Sequence, residues 1–143
     1  MILIILLSLL AGCAQHTVHK TNELTAEQVV REHFHWRNAK NVSRVEETLT
    51  QTRRGIMWDF DKLEYLTLLS IEEDQSEIMK NGYMTSGRGS LLKPSAVKVF
   101  KVEYEVKYKG GYGSGQESGR YTWYYILIKE KEDSSWLIDD WGV

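Results

Sequence analysis

The chain reads as an α+β domain in which two N-terminal helices pack on a curved, bulged antiparallel sheet. Three observations predict this. A complete helix-start signal surrounds Thr25, an alternating apolar run covers residues 97–108, and two runs, 121–128 and 136–141, are apolar or aromatic on both faces. Alternation marks a half-buried strand and two-sided apolarity marks a covered one. Helices with one apolar face each, followed only by strands, have a sheet as their sole packing partner.

The first helix begins where Thr25 can cap an N-terminus with Gln28 three residues on, while Leu24 and Val29 occupy the hydrophobic-staple positions. Ala26, Val29, Val30, His33, Phe34 and Arg37 follow the spacing of one helix face. Asn38 to Asn41 weaken the helix, and Ser43 is placed to cap a short second one through about Gln51, burying Val42, Val45 and Leu49. Leu63 to Ile71 is the first strand-like run, ending in Glu72-Glu73-Asp74. Ile78 to Arg88 contains Asn81-Gly82 and one further glycine, Gly87, which predicts an irregular connection with at most one short strand. In the next strand Val97 and Val99 lie on one phase, and Phe100, Val102, Tyr104, Val106 and Tyr108 on the other. Such a change of phase predicts a β-bulge. Residues 109–119, rich in glycine, read as a hairpin connection. Tyr121 to Ile128 and Trp136 to Trp141 are the closing strands.

Ahead of this domain, Ile2 to Ala11 is apolar or small and would span roughly 15 Å as a helix, half of a hydrocarbon core. That length suits the hydrophobic part of a secretion signal. The run ends at the chain's single cysteine, and Leu10-Ala11-Gly12-Cys13 resembles the lipobox of bacterial lipoprotein precursors. The resemblance implies cleavage before Cys13 and a diacylglyceryl group on its sulfur, with acyl chains such as palmitate. Two such chains hold a protein at a membrane surface where one gives only marginal attachment. Residues 1–12 are then a signal peptide, 13–23 a lipidated cysteine and flexible tether, and 24–143 a single domain on the outer face of the cell membrane.

The order of elements resembles the nuclear transport factor 2-like, or cystatin-like, α+β cone. The helix from Thr25 to Asn41 with its aromatic at Phe34 looks like the opening helix of that group. The run from Tyr124 to Val143 looks like its last hairpin, with Trp136 after the turn and Trp141 near the end. With the lipobox, the chain is similar to an uncharacterised family of small lipoproteins from Gram-positive bacteria. These are signatures of fold, and they assign no catalytic residue.

Composition excludes several classes. With 18 basic and 20 acidic residues mixed along the chain and a formal charge of −2, no basic footprint for nucleic acid exists. One cysteine allows no intrachain disulfide, and its lipidation leaves no thiol for chemistry. His16 and His19 sit on the tether without a third ligand, the glycines of 110–119 lack a phosphate-loop ending, and Glu72 to Asp74 reads as a solvated charge run; no metal or cofactor is expected. His33 shares the apolar helix face and reads as a hydrogen-bonded histidine at the core edge, with His35 in solvent.

Two candidate sites remain. Asp139 and Asp140 are adjacent carboxylates in an apolar strand, one necessarily inward, where it can serve as a general base, pair with Arg120 or cap the backbone. Tyr104, Tyr108, Trp123 and Tyr125 belong to an aromatic set larger than a small core requires, and Tyr and Trp combine apolar area with a polar handle. The expected function is a ligand- or protein-binding module anchored through lipid, with a membrane or envelope protein as a possible partner. The alternative is a small isomerase- or hydrolase-like enzyme using the last-strand carboxylate.

Overall fold

The computed structural model describes residues 23–143. Cys13, the leader before it and the tether up to residue 22 lie outside the described residues.

Helix α1 spans Ala26–Asn38. Thr25 Oγ1 accepts from the Gln28 amide at 3.2 Å and Gln28 Oε1 accepts from the Thr25 amide at 2.8 Å, closing the capping box. Its buried residues are Ala26, Val29, Val30, His33, Phe34 and Arg37, the face marked by the sequence spacing. Helix α2, Val42–Glu47, starts earlier than Ser43 allows, because Asn41 Oδ1 takes the Arg44 amide at 3.1 Å and is the cap. That shift leaves Val42 48% exposed, contrary to expectation, while Val45 and Leu49 are fully buried.

Four strands form one antiparallel sheet in the order β1-β2-β5-β6: β1 Leu63–Glu73, β2 Ala96–Tyr108, β5 Gly119–Lys129 and β6 Leu137–Gly142. Between β2 and β5 lies a small hairpin, β3 Tyr112–Gly113 and β4 Gln116–Glu117. Its turn residues Ser114 and Gly115 both have positive φ, 47° and 78°, as a two-residue hairpin of the favoured twist requires. The segment after α2 runs beside β6: the Thr50 amide donates to the Ile138 carbonyl at 3.0 Å and the Ile138 amide to the Thr48 carbonyl at 2.9 Å. Part of the β6 edge is thereby covered.

Two further expectations need correction. The phase change in β2 is not a bulge, since β2 pairs with β5 in unbroken register from Ala96 to Val106. It marks instead a sheet buried on both faces. Phe100, Val102, Tyr104, Val106 and Tyr108 join Tyr125 and Leu127 in the main core beneath α1. Val97 and Val99 face the other way, with Ile126 and Ile128, in a second core. The bulges fall elsewhere: β1 carries extra residues against β2 at two places, and β6 carries one, Asp139, between the pairs Ile126–Asp140 and Leu127–Ile138.

The second correction supplies the cover of that second core. Residues expected to be irregular form helix α3, Ile78–Thr85, followed by the single turn α4, Gly89–Leu92. Met79, Tyr83 and Met84 sit at helical spacing and pack on the second cluster. Asn81-Gly82 reads as a turn in isolation, but a helix carries it here because burial of that apolar stripe outweighs the roughly 1 kcal/mol cost of one helical glycine.

Candidate functional site

Two buried polar clusters stand out, one on each side of β6. The first is centred on Asp139, which the β6 bulge turns away from the strand ladder. Its carboxylate is fully buried and accepts four hydrogen bonds: from Thr50 Oγ1 at 2.7 Å, Tyr83 OH at 2.8 Å, Arg88 Nε at 2.9 Å and Arg88 Nη2 at 3.0 Å. Arg53 adds a bond from Nε to the Asp139 carbonyl at 2.6 Å and an ion pair with Asp140. The inward carboxylate thus pairs with Arg88, not with Arg120 as one of the sequence alternatives had it.

Burial pushes the Asp139 carboxyl up, but the hydrogen bonds from Arg88, Thr50 and Tyr83 outweigh it and hold the group below the ordinary carboxylate range. The same contact, added to burial, raises the Tyr83 phenol well above its ordinary value. A carboxylate that is ionised, with both oxygens already engaged twice, offers little basicity to a substrate. Its geometry suits it to bind the segment after α2, helix α3 and the start of α4 to the last strand. Asp140, partly exposed and paired with Arg53, lies at the rim.

The second cluster lies between α1 and the sheet. His33, fully buried, is ringed by Trp58 (centroids 5.6 Å apart), Tyr125 (6.0 Å), Phe34 (6.0 Å) and Trp141 (6.3 Å). Its Nδ1 lies 2.8 Å from Thr48 Oγ1, whose own proton goes to the Val45 carbonyl at 2.6 Å. Nδ1 must therefore carry the hydrogen, leaving Nε2 as a bare acceptor. Arg37, one turn further along α1, is 5% exposed. Its guanidinium lies 4.7 Å over the Trp58 ring and 5.7 Å from the Phe34 ring, and Nη1 donates to Tyr125 OH at 3.4 Å.

Among the described residues, no protein partner meets His33 Nε2, Arg37 Nε or Trp58 Nε1. Trp58 is set in place from outside: Ser114 donates from Oγ to the Trp58 carbonyl and from its amide to Asp59 Oδ2 at 2.8 Å, tying the loop to the β3–β4 turn.

The aromatic residues marked in the sequence converge on this same interior. Tyr125 is fully buried and hydrogen-bonded to Arg37. Tyr104, also fully buried, donates to Gln116 Oε1 at 3.0 Å, and Gln116 Nε2 donates to Tyr108 OH at 3.2 Å. Gly113 lets the hairpin close over this pair, because a Cβ there would stand 2.5 Å from Tyr108 Cδ1. Trp123 sets its edge against Tyr104 at 5.8 Å and remains partly exposed. Burial raises the phenols of Tyr104 and Tyr125, so both stay neutral donors. Sequence reasoning placed Arg37 on the buried face without marking it, and passed over Trp58, Gln116, Tyr83 and Arg88. Arg37 carried a usable signal, a permanent charge at an apolar helix position.

The surface adds a groove of about 310 Å³ lined by Leu24, Val29, Trp36, Arg44, Thr48 and Trp136 among others, between α1, α2 and the β5–β6 turn. Another of about 310 Å³ runs along the seam of α1 and β1, where Phe34 forms part of the wall. Among the described residues no helix is long and apolar enough to cross a membrane, and no cluster of metal-ligating side chains occurs.

The domain just described is mixed α+β, with helices packed on both faces of a four-stranded antiparallel sheet. Residues 27–142 match the family described as "Domain of unknown function (DUF4829)", and the chain belongs to that family. Comparison with curated proteins and with solved structures returned no match.

His33 makes the interior sensitive to acid. Burial first, and the Arg37 charge second, hold its imidazole well below the ordinary 6.5. Between 6.5 and that lower value the unfolded chain binds a proton that the folded chain refuses, so stability falls as pH falls. Denaturant unfolding should show a loss approaching about 1.4 kcal/mol per pH unit below pH 6.5. In His33→Gln the stability should stay flat from pH 6.5 down to about 5, where carboxylates begin to contribute.

Proposed function

We propose that this chain is a lipid-anchored extracytoplasmic binding module of the nuclear transport factor 2-like kind, from a Gram-positive bacterial lipoprotein family, carrying its ligand between α1 and the sheet. The carrying observation is the buried set Arg37, Trp58 and His33, with polar atoms that no described protein group satisfies, inside a wall of Tyr and Trp. Buried polar atoms are nearly always paired, and those left open concentrate where something else binds. The lipobox at Leu10 to Cys13 supports the location, and the polar stretch after it supports a tether. Asp139, saturated by its four donors, gives the enzymatic alternative no specific support.

The anchor is tested by expressing the full chain and its Cys13→Ala variant in a Gram-positive host fed labelled palmitate. Wild type should sediment with membranes and carry label, with residues 1–12 missing from its mass. The variant should carry no label. An unlabelled, full-length, freely soluble wild type would remove the anchored location from the proposal.

A further inference from the structure

The charge on Arg37 decides what kind of ligand the interior accepts. Among the described residues the guanidinium forms no ion pair with a carboxylate. Its contacts within the protein are two aromatic faces and one long hydrogen bond to a neutral phenol. Cation–π contact recovers only part of what burying an unpaired ion costs.

The hydrogen-bond balance points the same way. Arg37 Nε and Trp58 Nε1 are donors without acceptors, and Tyr125, having accepted from Arg37, has no described protein acceptor for its own proton. His33 Nε2 is the single open acceptor among these groups. The four side chains share one aromatic box: His33 to Trp58 5.6 Å, His33 to Tyr125 6.0 Å, and the Arg37 guanidinium 4.7 Å from Trp58. A water molecule satisfies donors but brings no countercharge. An oxyanion supplies both, and one of low charge matches a single guanidinium.

We infer that the box binds a small monocarboxylate whose oxygens accept from Arg37, Trp58 and Tyr125. This rests on the reading of the domain as a binding module and names its ligand class. A two-oxygen head matches the planar fork of a guanidinium, which a single-atom anion does not.

The test uses the full chain, extracted from membranes in detergent, and follows thermal unfolding in sodium acetate, sodium benzoate, sodium chloride, acetamide and benzamide at matched ionic strength. Acetate or benzoate should raise the midpoint saturably, by about 5 °C at tenfold over half-saturation. The chloride and amide series should stay flat. Arg37→Met, in which an apolar chain replaces a buried charge, should fold and lose the response. Trp58→Phe, which deletes only the indole N–H donor and some ring area, should fold and weaken the carboxylate about threefold or more.

An equal response to chloride overturns the carboxylate assignment. So does a response that survives in Arg37→Met. An equal response to the amides overturns it as well, yet leaves an interior binding site standing. No response to any of the five overturns this inference, and the binding reading falls with it only if native mass spectrometry of the isolated chain also finds nothing bound.

Discussion

Asp139→Asn should destabilise the domain by about 3 kcal/mol in denaturant unfolding, a large share of the stability of a domain this size. The wild-type carboxylate is buried and takes two hydrogen bonds from Arg88, one from Thr50 and one from Tyr83. An amide keeps one acceptor oxygen and turns an N–H₂ toward donors. Tyr83 can reverse its hydroxyl to accept, but Arg88 Nε–H has nothing to offer except another hydrogen. Breaking one partner of a buried pair costs 3–5 kcal/mol as a rule, and the lower end applies because the Arg88 side chain is 32% exposed and can turn to water.

Asp140→Asn is the internal control. Its pair with Arg53 has side chains 28% and 35% exposed, and the loss should stay under about 1 kcal/mol. The contribution of Asp139 also has a defined pH window. Its folded pKa is depressed, so the stabilisation is complete above the unfolded value near 3.8 and disappears as pH falls through the lower folded one. A variant series in which Asp139→Asn and Asp140→Asn cost the same would show that the bulge network contributes nothing of its own.

Phe34→Ala should cost about 3–5 kcal/mol by the same measurement. Phe34 is 2% exposed and its ring stands 5.3 Å from Tyr104, 5.4 Å from Tyr125 and 6.0 Å from His33. Truncation leaves a cavity beneath α1 that the sheet cannot close, because Tyr104 and Tyr125 are fixed by Gln116 and Arg37. It also takes one of the two aromatic faces from the Arg37 guanidinium. A loss no greater than 1 kcal/mol would mean that the interior is loosely packed and that the box described above is not a fixed structure.

Legibility in the sequence followed the physics of each segment. Thr25, Gln28 and the apolar face of α1 were readable because capping and helix spacing are local. The runs of β2, β5 and β6 were readable from alternation and two-sided burial. Helix α3 was not, since eight residues with Asn81-Gly82 inside carry too little pattern, and what makes them helical is the second core of Val97, Val99, Ile126 and Ile128. The phase change in β2 was visible but ambiguous: a bulge and a change of covering helix write the same pattern. Asp139 and the tyrosines drew attention by residue type. Their partners Arg88, Thr50, Tyr83 and Gln116 come from distant stretches, and no spacing rule connects them.

The account turns on whether the space between α1 and the sheet carries a ligand. Native mass spectrometry of the full chain in mild detergent reads this directly. It should show a species heavier than the polypeptide as isolated by one small acid, present in wild type and absent in Arg37→Met. Wild type and variant that both lack such an added mass, across preparations supplied with acetate and benzoate, would contradict it.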